Sequence, residues 1–170
     1  MTALPLATLG VLLDRALERL SGEACVEWAI SLLLEGRDGR FLRRLAGMTP
    51  PFNHFEMADL RDRALAEQGL GAAPPPENVA HAYVAARLES VLSSGPDAIG
   101  AVLDEAANLY HALDLDSGLQ DLAFLAFARD DFRTGERVSF HWQAATPETL
   151  DGIVREKAIE FVLLHRDAIG

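Results

Sequence analysis

A proline corner in the first half of the chain does most to limit its fold. Residues that favour helix run over Glu23–Glu35 and Gly39–Ala46, and the pattern stops at Pro50-Pro51. Proline lacks the backbone N–H that a helix interior needs, so these two residues exclude helix at the corner. Asn53 follows them and is a favoured N-cap for a helix predicted over Phe55–Gln68. The stretch therefore predicts short helices that turn and stack.

Helical periodicity extends over most of the chain. Apolar residues recur at three- and four-residue steps, which is the spacing of one helix face. The pattern predicts helices over Leu6–Leu20, Glu77–Leu92 and Ala98–Leu113, and a terminal helix that ends at His165. The residues expected to cap helices, with Asn53, are Ser21, Asp38 and Thr146.

One segment, Leu122–Ala128, is apolar on every side. A helix of that kind belongs at the centre of a bundle. We expect it to be the most buried helix, with Phe124 and Leu125 facing opposite sides of the core.

Residues 137–143 alternate between apolar and polar side chains, with Val138, Phe140 and Trp142 on one side. This is the period of a strand. Because a lone strand must pair or pack, the segment predicts one of two arrangements. It is either an extended arm with Trp142 in the core or a strand that pairs with a second copy in a homodimer.

A connector at residues 69–76 ends in three prolines and divides the chain into halves. Each half is small for an independent domain, so we expect a single domain over residues 1–170. The predicted fold is all-α, an irregular bundle of seven or eight helices with one short extended segment near 137–143.

The net charge of −11 excludes two classes of partner. Nucleic acids and anionic membranes are bound through clustered positive charge, which this chain lacks. The acidic surface suits either a basic protein partner or no partner at all.

Several localisation features point the same way. Cys25 is the single cysteine, so an intrachain disulfide and a cysteine-based zinc site are excluded. The start of the sequence lacks the positive region of a signal peptide. No apolar run approaches the length of a membrane span. A cytoplasmic location is expected by elimination.

His54-Phe55-Glu56 has the His-x-Glu spacing of zinc deaminases. That chemistry needs a Pro-Cys-x-x-Cys pair as well, and the chain has none. The alternative is structural: both residues lie in the first turn of a helix, where the helix dipole stabilises the negative charge of Glu56. Asn53, His54 and Glu56 are nevertheless retained as candidate binding residues, together with Phe140 and Trp142.

Asp104, Asn108 and His111 are spaced at i, i+4 and i+7 on one predicted helix face. With a ligand from a neighbouring helix they could hold a metal ion, as helical bundles do. A solvated helix face explains the same residues, so no cofactor is expected.

Two further residues lie on predicted apolar faces. His81 shares its face with Val84 and Leu88, which is typical of a core histidine with one satisfied hydrogen bond. Lys157 falls in the middle of the terminal helix's apolar face. It could be a buried base, or its stem could pack while its ammonium reaches a carboxylate.

Neither a Gly-x-Ser-x-Gly elbow nor a phosphate-binding loop is present in the sequence.

Three short motifs carry a resemblance. They read WAISLLLEGRDGRFLRRLAG from Trp28, PFNHFE from Pro51 and ALAEQGL from Ala64. Over Trp28–Leu70 the chain resembles a family of small all-helical bacterial proteins of unknown function. Some relatives of this kind resemble immunity or accessory proteins, which neutralise a partner by binding it. The resemblance implies a helical fold and assigns no catalytic residue.

These observations favour a non-catalytic bacterial interaction protein that binds a protein partner through a helical surface, in an immunity or regulatory role. The alternative is a helical enzyme or ligand-binding protein with a site between helices that is metal-dependent through Asp104 and His111.

Overall fold

The computed structural model describes residues 4–166 and 169, and these residues form eight helices and no strand. None of the helices in this described part is long and apolar enough to cross a membrane. The all-α prediction is confirmed. The helices are α1 Leu6–Ala16, α2 Gly22–Leu34, α3 Arg40–Ala46, α4 His54–Glu67, α5 Pro76–Val91, α6 Pro96–Ala112, α7 Gln120–Arg133 and α8 Leu150–His165.

The chain divides into two compact units, and the boundary lies between Pro75 and Pro76. The N-terminal unit begins at Leu4 and contains α1 to α4, whereas the C-terminal unit contains α5 to α8. This boundary falls inside the proline-rich connector predicted at residues 69–76. The third proline belongs to α5, since that helix begins at Pro76. The single domain stays a prediction.

In the N-terminal unit, α2 packs against α1, α3 and α4. Its Trp28 is fully buried, and the indole Nε1–H donates a hydrogen bond to Thr8 Oγ1 at 3.0 Å. Leu42 of α3 and Met57 of α4 are completely excluded from solvent. Burial of these large apolar side chains is what holds the short helices together.

Two of the predicted caps are confirmed. The Ser21 hydroxyl accepts a hydrogen bond from the Ala24 N–H at 3.2 Å, and the Asn53 side chain accepts one from the Glu56 N–H at 3.1 Å. Each cap satisfies a backbone donor that the helix itself cannot. The peptide bond between Pro50 and Pro51, just before this second cap, is cis.

The expected cap of α3 is wrong. The Asp38 side chain accepts hydrogen bonds from the neighbouring Gly39 N–H and from Arg43 Nη1, and from no N–H of the first helical turn. Instead Glu67, at the end of α4, accepts hydrogen bonds from the N–H groups of Phe41 and Leu42 at 2.9 and 3.1 Å. A Cβ at Gly39 would collide with the Glu67 carboxylate, so glycine admits the carboxylate to the helix start. One helix thus caps another.

In the C-terminal unit, α6 packs against α5, α7 and α8, and α5 and α7 also contact α8. Leu103 of α6 and Leu125 of α7 are completely buried. The expectation for Phe124 is wrong, because Phe124 is half-buried and lies beside surface rings instead of in the core. The apolar residues of α7 therefore lie on two faces of the helix, one buried in the core and one partly exposed.

The start of α8 also differs from the prediction. Thr146 does not cap the helix; its carbonyl accepts hydrogen bonds from the N–H groups of Thr149 and Leu150, which forms a turn before the helix. Farther along, Val154, Ala158 and Phe161 are buried, whereas Leu164 is 76% exposed. The buried face is rotated from the predicted one, so Lys157 lies at its edge and not in its middle.

The extended segment predicted at residues 137–143 is wrong. The structure has a bent loop there, and burial does not alternate along it, since the small polar Ser139 is the one buried residue of the segment. Val138 and Phe140 are 67% and 84% exposed. Trp142 is half-buried, so neither an extended arm nor a strand is formed. Val138 and Phe140 face solvent because the buried position of the loop is used for hydrogen bonding by Ser139.

Candidate functional site

Five rings of the C-terminal unit form a continuous patch, here called the aromatic surface: His111, Phe124, Phe127, Phe140 and His141. His141 is its centre. The centroid of its ring lies 5.0 Å from that of Phe127, 5.6 Å from that of Phe140 and 5.8 Å from that of Phe124. These separations are those of favourable aromatic pairs. The patch therefore combines three exposed rings, those of His111, Phe140 and His141, with the half-buried rings of Phe124 and Phe127.

Ser139 fixes the loop that carries Phe140 and His141. Its hydroxyl accepts hydrogen bonds from the backbone N–H groups of His141 and Trp142 at 3.2 and 3.1 Å. The same hydroxyl donates to the carboxylate of Asp131 on α7 at 2.9 Å. Because this buried hydroxyl is fully bonded, the loop presents Phe140 and His141 in a defined position.

The carboxylate of Asp131 completes this arrangement. Its Oδ2 lies 3.4 Å from His141 Nδ1. Desolvation alone would raise the pKa of Asp131, but the hydrogen bonds from Ser139 and His141 outweigh it, so the pKa is lowered from its ordinary value. The carboxylate thus stays ionised and orients both the loop and the central ring.

A serine, a histidine and an aspartate meet here, yet their order does not suit nucleophilic catalysis. A catalytic serine gives its proton to a histidine, which the carboxylate in turn orients. Here the Ser139 hydroxyl donates directly to Asp131 and is buried. These contacts support the loop rather than activate a nucleophile.

A second feature of the C-terminal unit is a pocket of about 250 Å³, here called the charged pocket. Arg133 Nη2 pairs with Asp130 Oδ1 at 2.5 Å. Arg129 and Asp104 have no hydrogen-bond or ion-pair partner in the part of the chain that the structure describes. The pocket therefore carries two charges of opposite sign that the fold leaves unpaired. Its lining consists of Asp104, Ala126, Arg129, Asp130, Arg133 and Leu150.

The candidate binding residues near the proline corner have structural partners. Asn53 caps α4, and Glu56 Oε1 lies 2.7 Å from Arg44 Nη2 in a salt bridge to α3. His54 is exposed, with its ring edge-on to Phe55 at 6.0 Å. The acceptor atoms of Asn53 and Glu56 are thus engaged by the fold.

The residues proposed for a metal site line different features of the C-terminal unit. Asp104, Asn108 and His111 are all exposed on the outer face of α6, as the solvated alternative predicts. Asp104 lines the charged pocket and His111 belongs to the aromatic surface. No cluster of three or more histidine, cysteine or carboxylate side chains suited to a metal ion occurs among the described residues.

His81 has the hydrogen bond expected of a core histidine. Its Nε2 lies 2.6 Å from Asp116 Oδ2, and the same oxygen accepts the Leu119 N–H at 3.2 Å. The ring of His165 lies 4.6 Å from that of His81. Burial and the neighbouring His81 lower the pKa of His165, and Asp116 opposes this only in part. This cluster joins α5, α8 and the start of α7.

The remaining reactive side chains are also satisfied or shielded. Lys157 Nζ lies 2.8 Å from Glu160 Oε2, which raises the pKa of this lysine. Its ammonium therefore stays protonated instead of becoming a base. Burial raises the pKa of the Cys25 thiol to about 11, so it is no nucleophile.

Comparison of the chain with protein-family models, curated proteins and solved structures finds no match. The resemblance over Trp28–Leu70 therefore stays a hypothesis.

Reasoning from the sequence missed Phe124, Phe127 and His141 as surface residues, and Arg129 altogether. The spacing of Phe124, Phe127 and Asp131 at i, i+3 and i+7 places them on one face of α7. That pattern could have suggested a second face on a helix treated as uniformly apolar. Arg129 gives no such indication, because only the folded structure shows that it lacks a partner.

Proposed function

We propose that this chain is a non-catalytic binding protein that docks a basic segment of a protein partner on the aromatic surface. The observation that carries the proposal is the exposure of Phe140, 84% of whose surface faces solvent at the end of a loop held by Ser139. Large exposed aromatic residues that lie in a patch of neighbouring rings are typical of interaction sites.

The charge distribution supports a basic partner. Residues 76–170 contain 16 acidic and 7 basic residues, a net charge of −9, whereas residues 1–75 contain 10 and 8, a net charge of −2. The unit with the aromatic surface therefore holds most of the negative charge. Arginine and lysine side chains are attracted to such a field and also stack on aromatic rings. A basic segment satisfies both features.

An immunity-type or regulatory role, exerted by covering the active or binding surface of the partner in the cytoplasm, belongs to this class. The alternative, an enzyme, has less support. The Ser139, Asp131 and His141 contacts are those of a structural turn, and Lys157 is paired with a carboxylate.

The test compares two alanine variants with matched exposure. Phe140→Ala removes the 84% exposed ring of the aromatic surface, and Leu34→Ala removes an apolar side chain of α2 that is also 84% exposed. Immobilised wild type and both variants are used to capture partners from cells that make the protein naturally. We expect a partner with a basic segment that wild type and Leu34→Ala retain and that Phe140→Ala binds about tenfold more weakly or not at all.

Salt dependence and light scattering complete the experiment. Binding to a basic segment should weaken as ionic strength rises, because surface charge pairs are screened. Capture that is unchanged by Phe140→Ala would contradict the proposal. A dimer mass in light scattering that Phe140→Asp converts to a monomer mass would show a second copy on the aromatic surface instead.

A further inference from the structure

The charged pocket is lined by Arg129 and Asp104, two charged side chains that lack partners within the described residues. Arg129 is half-buried, and its guanidinium lies directly against the backbone of Gly100, where any Cβ would collide with it. Gly100 is in α6 and Asp104 lies one turn farther along the same helix. Gly100 thus leaves room for the Arg129 cation at the wall of the pocket, and the next turn of α6 carries the Asp104 anion.

Two charged side chains that line the pocket, one positive and one negative, have no ion-pair partner within the described residues. Asp130 Oδ1 and Arg133 Nη2 lie 2.5 Å apart, so the charges of these two lining residues balance each other. Arg129 and Asp104 both line the pocket, and neither makes an ion pair within the described residues. A guanidinium in a concave, partly dry site binds a carboxylate well, and a carboxylate binds an ammonium group.

The size and the apolar wall of the pocket limit the ligand further. A volume of about 250 Å³ corresponds to about eight water molecules, or to a ligand of similar heavy-atom count. Ala126 and Leu150 supply an apolar wall suited to a short aliphatic group.

From these observations we propose that the charged pocket binds a small zwitterion, an α-amino acid with a short aliphatic side chain. Arg129 binds its carboxylate, Asp104 binds its ammonium group, and the side chain lies on Ala126 and Leu150. This is a ligand site separate from the aromatic surface, and it does not depend on the function proposed there.

Calorimetric titration of the full chain with L-valine tests the proposal. Two further ligands keep the isopropyl side chain and one charge each: isovalerate lacks the ammonium group, and isobutylamine lacks the carboxylate. Since each lost charge-assisted contact weakens binding by about tenfold or more, L-valine should bind tightest of the three. Isovalerate or inorganic phosphate binding as tightly as L-valine would show a simple anion site and overturn the assignment.

Variants assign the two contacts. Arg129→Gln should abolish measurable binding of L-valine. Asp104→Asn should remove the preference for L-valine over isovalerate. Gly100→Ala should weaken binding, because its methyl group displaces the Arg129 guanidinium while the flexible side chain limits the cost to folding.

Matched controls are Arg137→Gln and Glu136→Gln, which remove exposed charges of the following loop that do not line the pocket. Both should bind L-valine as wild type does. No heat with any ligand, or equal losses in the pocket and control variants, would refute the site. Circular dichroism of each variant separates loss of binding from loss of folding.

Discussion

The two units of this chain use their polar side chains differently. In the N-terminal unit these side chains serve the fold: Glu67 caps α3, Glu56 pairs with Arg44, and the buried Arg61 donates to the Arg19 carbonyl at 3.1 Å. In the C-terminal unit, the contact between Ser139 and Asp131 also serves the fold. However, Arg129 and Asp104 are unpaired among the described residues, and exposed rings cover one surface. Interactions that a fold leaves unmade are available to a ligand. We therefore expect ligands to bind the C-terminal unit, and we expect a structural role for the proline corner.

The largest expected effect separates the two faces of α7. Leu125→Ala should cost about 2–5 kcal/mol of unfolding free energy, because Leu125 is completely buried and its removal leaves a cavity. Phe124→Ala should cost clearly less, since the ring is half-buried on the aromatic surface. Denaturant titration measures both. A Phe124→Ala cost equal to that of Leu125→Ala would place this ring in the core and reduce the aromatic surface.

The next effect probes how far the N-terminal unit depends on its polar contacts. Glu67→Ala should destabilise the protein by about 1–2 kcal/mol, because two backbone donors at the start of α3 lose their acceptor. Glu27→Ala removes an exposed glutamate in the middle of α2 and serves as the control. Both values come from urea midpoints at constant pH. Equal midpoints for the two variants would mean that the cap between helices contributes nothing.

A smaller effect concerns the corner itself. Asn53→Ala should cost about 1 kcal/mol, the usual value of an N-cap, since it leaves the Glu56 N–H without its acceptor. Asn53→Asp keeps an acceptor and should retain most of the stability. If the role of Asn53 is structural, partner capture by Asn53→Ala should equal that of wild type. Loss of capture without loss of stability would move the binding surface to the N-terminal unit.

The smallest effect is a pH dependence in the C-terminal unit. Burial and His81 lower the pKa of His165 in the folded protein below its ordinary value of 6.5. The unfolded chain then binds a proton near pH 6.5 that the folded chain does not, so stability falls as pH decreases through this region. Above that region this contribution does not vary with pH.

Thermal unfolding at several pH values between neutral and acidic measures this slope. His165→Gln should reduce the slope, whereas His54→Gln, on the exposed start of α4, should leave it as in wild type. A slope that is the same in both variants would exclude His165 as its source.

The sequence alone determined the helical class, the proline corner and two of the caps. Periodicity and capping are local properties: Ser21 and Asn53 each bond an N–H only three residues away. The proline-rich connector was likewise apparent from composition, and the boundary between the units lies within it. Such features depend on neighbours along the chain and so can be predicted from it.

Only the tertiary structure decided which side chains remain free. Glu67 bonds the start of α3 although the two lie 26 residues apart in the chain. Arg129 lies against Gly100 because α7 packs on α6. Ser139 is buried and Phe140 exposed because Asp131, eight residues earlier, engages the Ser139 hydroxyl, which reverses the order that hydrophobicity predicts. Hydrophobic pattern records the average preference of each side chain for water, whereas its position in the fold depends on partners that only packing brings within reach.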